Sequence, residues 1–491
     1  MKTKDKSLKL NALLNMMRNL SSVIFPLITF PYISRVLSVD SVGMYSFATS
    51  VMTYVSLIAV LGIEHYAIRE GAKNREDREK FNDFANQMFT VNVISTLFSY
   101  LVLGALLLAV PKFYEYRALL LILGSQVLMN TLGVNWIYSI YEEFAYITFR
   151  SIIFQIVSIV AMFIFVREPQ DVEVYAVITV LSAAGSNILN FFFSRRYCKL
   201  KLTLKIDWKK HFKPIMVLFG VVAAVTVYAN TDTVILGFIS GEYSVGIYAV
   251  SMKMYTIVKS LLSSALIVSI PRLSLLLGQK RREEADLVAT DLYSTMLTLT
   301  LPAIVGLITL GRQIILLIAG DSYASAHFPY VVLCVAIFFS LGSYFWGQAS
   351  LVPSKREDVV LKATLVSAIV NLVLNFILIP FWHEKAAAFT TLIAEIIGFV
   401  WNFAYGRKYL RVEGTLRMTV KIIVGCIPIP FVAFLIGLVT TNLIISTVFT
   451  IVISVILYAI IEILIKNEAV VGIYTGIKNK FAKKFNGAEK N

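Results

Sequence analysis

The sequence predicts an all-α polytopic membrane protein of about fourteen spanning helices, arranged as two parallel six-helix lobes around a central cavity with two further C-terminal helices. Three observations lead there. Of 491 residues 58% are hydrophobic and only 15% charged, with mean hydropathy +0.76; soluble domains hold about 25% charged residues. Apolar stretches of about 18 or more residues, each long enough to cross a hydrocarbon core of about 30 Å, recur along the whole chain. And the stretch "SVGMYSFA" at Ser41 returns as "SVGIYAVS" at Ser244, at the same place in each half.

Taken in order, the spans have cores near 10–35, 44–64, 86–110, 118–138, 148–166 and 173–194 in the first half. They continue near 214–239, 247–270, 288–310, 328–350, 359–380 and 386–405, and close with 419–438 and 443–465. An even number puts both termini on one side. With that side taken as inside, 36 of the 45 Lys and Arg fall in inner segments, six in outer loops and three within spans. Short Lys/Arg-rich loops stay cytoplasmic, so both ends are expected inside. The net charge of +15 is then a topology signal and an attraction to anionic membrane lipids, not a nucleic-acid footprint. The first apolar tract is long and carries Arg18, unlike a cleavable signal. Cys198, Cys334 and Cys426 are far apart with no CxxC, which suggests neither zinc nor a disulfide framework.

The largest basic loop, "SRRYCKLKLTLKIDWKKHFK", separates the sixth and seventh spans. The expected organisation is therefore an N-lobe over 1–194, a cytoplasmic linker over 195–213 and a C-lobe over 214–405. Two extra helices over 406–465 and an amphipathic inner-face tail over 466–491 follow. Both copies of Ser-Val-Gly-X-Tyr lie in the outer turn leading into the second helix of a six-helix set. Sets of equal orientation make a parallel repeat about an axis along the membrane normal, as in transporters built of two lobes. Gly43 and Gly246 suit a place of positive φ or close backbone approach.

Polar residues inside spans mark the candidate site. Asn11, Asn15, Arg18 and Ser22 form one stripe at helical period in span 1, bordered by Asn19 and Ser21. Arg18 lies roughly 13 Å along the axis from Lys9, and a charge at that depth faces a cavity or a partner. Pro26 and Pro31 mark the same helix as bent. Span 8 carries Lys253 and Lys259, the latter also readable as glue between helices. Asp232 in span 7 can neutralise a lumenal cation, bind a coupling cation, or sit protonated and silent. Span 11 has Thr364, Ser367, Asn371 and Asn375 on one stripe, span 10 has Ser340, Ser343, Tyr344, Gly347 and Gln348, and span 12 holds Glu395, lumenal or paired. Amide and hydroxyl rows serve as helix–helix glue and equally suit sugar hydroxyls. Three basic against two acidic groups in mid-span lean toward an anionic cargo. No G-x-x-x-x-G-K-[ST] occurs, "HEKAA" fails H-E-x-x-H, and no outer segment is long enough for a catalytic domain. A transporter rather than an enzyme is expected, with no cofactor and no metal.

The segments "FPYISRVLSVDSVGMYSFATS", "LGIEHYAIRE", "NTDTVILGFISGEYSVGIYAVSMK", "SIPRLS" and "GDSYASA" resemble the bacterial polysaccharide-repeat-unit (Wzx-type) flippases. Their superfamily includes the lipid II flippase and the multidrug and toxic-compound extruders. The resemblance covers about the whole chain and implies export of an undecaprenyl-pyrophosphate-linked oligosaccharide from the inner to the outer leaflet by alternating access, for capsule or O-antigen assembly. It also implies a bacterial inner-membrane location, and polysaccharide polymerase and chain-length proteins as further partners. In the related lipid II flippase basic residues of helices 1, 2 and 8 line the cavity. Arg18 and Lys253 match the first and third by position, whereas span 2 has only Glu64 and His65 near its inner end. Arg suits pyrophosphate because its planar fork donates two parallel hydrogen bonds. Two alternatives are a cation-coupled drug extruder of the same fold, which an acidic cavity would favour, and a membrane polymerase or ligase, which a large outer catalytic loop would favour.

Overall fold

The computed structural model describes residues 24–267, 269–467 and 470–471. Among them there is no strand. Eleven helical stretches are long and apolar enough to cross a membrane. Two of these, Trp208–Ser264 and Glu357–Gly406, are 57 and 50 residues long. Each is two arms joined at a break, at Gly241 (φ 84°) and at His383 (φ 49°). With those doubled, thirteen of the fourteen spans read from hydropathy are found; of the span read near 10–35 the described residues hold the shorter apolar helix Ile24–Val36. Leu101, Leu108, Phe431 and Val439 are 66–87% exposed, an apolar outer surface that only a lipid solvent makes favourable. The chain is a multi-pass membrane protein.

The helices divide into two compact units. The first takes the described residues up to Ala249 with Phe376–Glu384; the second takes Val250–Asn375 and the described residues from Lys385 on. The first unit holds α1 (Ile24–Val36), α2 (Val39–Val60), α3 (Ile63–Gly71), α4 (Arg78–Ala109), α5 (Arg117–Gly133) and α6 (Asn135–Ile140). It continues with α7 (Phe144–Phe165), α8 (Val172–Val180), α9 (Ser186–Phe193) and most of α10 (Trp208–Ile267). The second unit is built on α11 (Ile270–Gly278), α12 (Arg282–Thr309), α13 (Gly311–Ile318), α14 (His327–Phe345) and most of α15 (Glu357–Gly406). α16 (Thr415–Cys426), α17 (Pro428–Val439) and α18 (Leu443–Leu464) complete it.

Helix α2 starts earlier than hydropathy placed it. Ser38 caps it, its hydroxyl accepting from the Ser41 N–H at 3.1 Å, and Asp40 stands in the first turn, where the helix dipole favours negative charge. Ser41–Tyr45 is thus the opening of a helix and not a loop. Spans 2 and 4 are each interrupted. Between α2 and α3 Leu61 (φ 45°) and Gly62 (φ 73°) adopt the left-handed region, and between α5 and α6 Val134 does so at φ 37°. A β-branched residue held there is strained and needs surrounding structure to fix it. Val134 has that support: it belongs to the same buried cluster as Ile63, Tyr66, Phe84 and Ile137.

A second repeat, absent from the hydropathy pattern, ties the basic linker down. The backbone N–H groups of Lys199, Lys201 and Thr203 donate to Asn82 Oδ1, Asn86 Oδ1 and Thr90 Oγ1 at 3.0, 2.7 and 3.0 Å. Two residues of extended chain advance about as far as one helical turn, so alternate N–H groups meet every fourth residue of α4. In the second unit the N–H groups of Arg411 and Glu413 meet Asp286 Oδ1 and Thr290 Oγ1 on α12 in the same way, at 2.8 and 3.2 Å. Asn82 and Asn86 precede Asp286 and Thr290 by the same sequence offset of 204. Within the first strap Cys198 is fully buried, and burial pushes its thiol up to about 12.

Candidate functional site

In the second unit the residues singled out on span 8 behave differently from one another. Lys259 Nζ lies 3.3 Å from Glu395 Oε1, and the Tyr255 hydroxyl donates to the same carboxylate oxygen at 2.7 Å. Lys259 also reaches Tyr255 Oη at 3.2 Å and stands over its ring. Glu395 is buried and Lys259 half-buried, so the pair is a closed ionic contact, the paired alternative for both residues. Lys253, one and a half turns earlier and half-buried, forms no ion pair or hydrogen bond with another described residue.

Asn371 and Asn375 are buried on one face of α15, and Asn375 Nδ2 donates to Asn371 Oδ1 at 3.1 Å. Across the His383 break the Thr390 hydroxyl donates to Asn375 Oδ1 at 2.6 Å. These amides fasten the two arms of α15 together. On α14 Ser343 accepts from Asn402 at 3.0 Å, the same service between neighbouring spans. In the first unit Asp232 is 5% exposed and accepts the Tyr248 hydroxyl at 2.9 Å across the Gly241 break. The adjacent Thr231 shares a hydrogen bond with Tyr54 of α2 at 2.9 Å. Arg18, Asn11, Asn15 and Ser22, the span 1 stripe, lie outside the described residues.

The two copies of Ser-Val-Gly-X-Tyr meet. A Cβ placed on Gly43 would lie 2.7 Å from the Glu242 carbonyl carbon and 3.0 Å from Gly246 N, and would collide with the Glu242 carbonyl oxygen. One on Gly246 would lie 2.9 Å from Val39 Cγ1 and collide with the Val39 carbonyl oxygen. Each glycine thus admits the backbone beside the other copy, and close approach is what the residue type provides; the positive φ is at Gly241 instead. A latch lies alongside: Glu242 accepts the Tyr116 hydroxyl and pairs with Lys112 at 3.7 Å, while Lys112 also donates to the Gly237 carbonyl.

Sequence reasoning missed the tyrosines that hold Asp232 and Glu395, because their partners are 16 and 140 residues away. It also missed an asparagine ladder: Asn187 donates to Asn130 at 2.9 Å and Asn190 to Asn135 at 2.9 Å. In the sequence the ladder shows as the i, i+3 spacing of Asn187 and Asn190 and the i, i+5 spacing of Asn130 and Asn135.

This architecture defines a class: a multi-pass, all-helical membrane protein with breaks in mid-span. Solved membrane-transport structures share this fold. A lipid II flippase, MurJ, in an inward closed conformation matches 93% of this chain and 99% of its own with TM-score 0.70 and 16% identity. An inward-facing multidrug transporter of the MATE family matches 83% of this chain and 98% of its own with TM-score 0.57 and 12% identity. The model of the polysaccharide biosynthesis protein family matches residues 8–277, and the chain belongs to that family. Among curated relatives, a "Putative O-antigen transporter" of Escherichia coli K12 is 24% identical over 81% of this chain and 96% of its own length. The capsular polysaccharide biosynthesis protein CapF of Staphylococcus aureus is 20% identical over 79% of this chain and 97% of its own.

Proposed function

We propose that the protein is a flippase that carries an undecaprenyl-pyrophosphate-linked oligosaccharide from the inner to the outer leaflet of the bacterial cytoplasmic membrane, for assembly of a surface polysaccharide. It works by alternating access, moves its cargo without making or breaking bonds in it, and keeps both termini in the cytoplasm. The lobes 1–194 and 214–405 are its moving parts, and the meeting of the Gly43 and Gly246 turns is its closed outer mouth. Family membership and the named functions of the relatives support this reading. The observation that carries it is Lys253: a cation in a span, without an anionic partner among the described residues, is costly to keep unless a cargo anion completes it. Arg18, with Asn11, Asn15 and Ser22, supplies a second donor set for the pyrophosphate. Asp232 and Glu395 are engaged by tyrosines, which leaves the extruder reading without a free acidic site among the described residues of these two spans.

The test is export in the producing strain. Lys253→Ala and Arg18→Ala should each abolish surface polysaccharide at normal expression, and Lys253→Arg and Arg18→Lys should retain part of it. Normal polysaccharide in both well-expressed alanine variants would overturn the reading.

A further inference from the structure

The two straps resemble each other beyond the bonds that hold them. Lys199 and Lys201 precede Arg411 and Glu413 by 212 residues, and at that offset "RRYCKLKLTLK" from Arg195 aligns with "RKYLRVEGTLR" from Arg407. Cys198 and Leu410, equivalent in this alignment, are both fully buried, so each strap sinks one side chain into its own unit. Six positions on, the copies agree in the opposite way. Leu204 is fully exposed and Leu416 is 80% exposed, and each is followed by an exposed cation, Lys205 or Arg417. The apolar surface then continues at helical interval, through Trp208 and Phe212 at the start of α10 and through Val420 and Val424 of α16, all exposed. A single exposed leucine needs no explanation. Two at equivalent places, each beside a cation, do.

The level of the first strap shows what covers its leucine. Its bonds to Asn82, Asn86 and Thr90 carry it along eight residues of α4, about 12 Å at 1.5 Å per residue. Before Thr90 the exposed residues of α4 are Arg78, Glu79, Lys80 and Asp83; after it they are apolar, beginning with Ile94, Leu97, Phe98 and Leu101. Thr203 meets Thr90, so Leu204 stands at the border where the outer surface of this helix changes from water-facing to lipid-facing. The strap's backbone points the same way. Extended chain in water has its N–H groups paired by solvent, whereas chain at membrane depth must find acceptors within the protein. The amide and hydroxyl oxygens of α4 and α12 are such acceptors.

We propose that the two straps are lipid contacts: Leu204 and Leu416 enter the acyl border of the leaflet, while Lys205 and Arg417 bind the phosphates of anionic phospholipids. An apolar side chain in the acyl boundary with a neighbouring cation at headgroup level is how interfacial elements hold to a bilayer, and the long stems of Lys and Arg let the charge reach the headgroups. Continuity of the leucine with a span surface already in lipid favours the bilayer over a protein partner. With the termini placed in the cytoplasm, the leaflet is the inner one. The inference goes beyond the flippase reading and holds for any cargo.

The test uses the full-length protein in mixed phosphatidylcholine and phosphatidylglycerol vesicles without lipid-linked sugar, so its outcome is separate from that of the flippase reading. Spin labels on Leu204→Cys and Leu416→Cys report which collides with them more often, oxygen, which concentrates in the bilayer, or a water-soluble nickel chelate. Glu76→Cys, in an exposed turn before α4, is the aqueous control. Oxygen should dominate at both leucine sites and the chelate at Glu76. Chelate dominance at either leucine site would overturn the proposal. Exclusion of both reagents there would overturn it too, as the mark of a protein cover such as a second copy. Binding of tritiated phosphatidylglycerol and phosphatidylcholine to the protein in detergent tests the cations. The native protein should prefer the anionic lipid. Lys205→Gln and Arg417→Gln should each lower affinity for it about fivefold, the worth of one cation beside an anionic surface, and leave phosphatidylcholine unaffected. A native protein without that preference, or a double variant that keeps it in full, would overturn the assignment of the cations.

Discussion

Gly43→Ala tests the meeting of the two echoed turns most sharply. The added methyl would stand 2.7 Å from the Glu242 carbonyl carbon and 3.0 Å from Gly246 N, where carbon contacts are comfortable at about 3.5–4.0 Å. All of the nearest atoms are backbone, so no side chain can turn aside, and the turns must part by about 1 Å. Overpacking of that kind costs about 1–3 kcal/mol, charged only to the conformation in which the turns touch. That is about a 5–150-fold shift toward the conformation in which they are apart. Gly246→Ala should act alike, and the double variant less than additively, since the two glycines abut each other. The assay is the distance distribution between spin labels at Asp40 and Tyr243, both exposed, whereas Ser244 is buried. The three native cysteines are buried and contribute little background. A single short distance in the native protein and a growing long component in Gly43→Ala is the expected result. Identical distributions in native and variant protein would refute the wedge argument, and with it the role assigned to these glycines.

Three further outcomes follow from the contacts. Lys259→Met with Glu395→Leu should be less destabilising than the sum of the single changes, because each single change strands the other charge; a thermal-stability cycle with coupling of about 0.5–3 kcal/mol is expected, and simple additivity would count against the ion pair. Asn86→Ala removes the acceptor for the Lys201 N–H and should cost about 1 kcal/mol, with Thr290→Ala doing the same for Glu413 in the second unit; an unchanged midpoint in both would deny the straps a structural role. Cys198, kept as the sole cysteine, has its thiol pushed up to about 12, so it stays protonated as pH rises through 8 and 9, where an ordinary thiol ionises. Maleimide labelling should be slow there and fast after denaturation, and rapid labelling of the native protein at pH 7.5 would contradict its burial.

Much of the fold was legible because the membrane writes itself into hydropathy: a span needs its apolar length whatever it packs against. The echo at Ser41 and Ser244 was legible for a similar reason, since a repeated packing problem keeps its residues. The boundary of α2 was misplaced because Val39–Gly43 reads as loop by hydropathy, although Ser38 and Asp40 carry an N-terminal capping signal. The breaks at Leu61 and Val134 were not legible. Neither residue type favours positive φ, and only the neighbouring Gly62 and Gly133 hint at a discontinuity. For the candidate site, Lys253 and Lys259 look equivalent in sequence, and only the approach of Glu395 and Tyr255 separates an engaged cation from an open one.

The central claim is transport, and translocation in proteoliposomes tests it most directly. The lipid-linked repeat unit is placed in one leaflet, and its sugar is detected in the other by a lectin that cannot cross the bilayer. The account predicts protein-dependent appearance of the sugar, lost with Lys253→Ala and largely kept with Lys253→Arg. Native protein that leaves the sugar where it was placed, while it extrudes a cationic drug from the same vesicles, would contradict it.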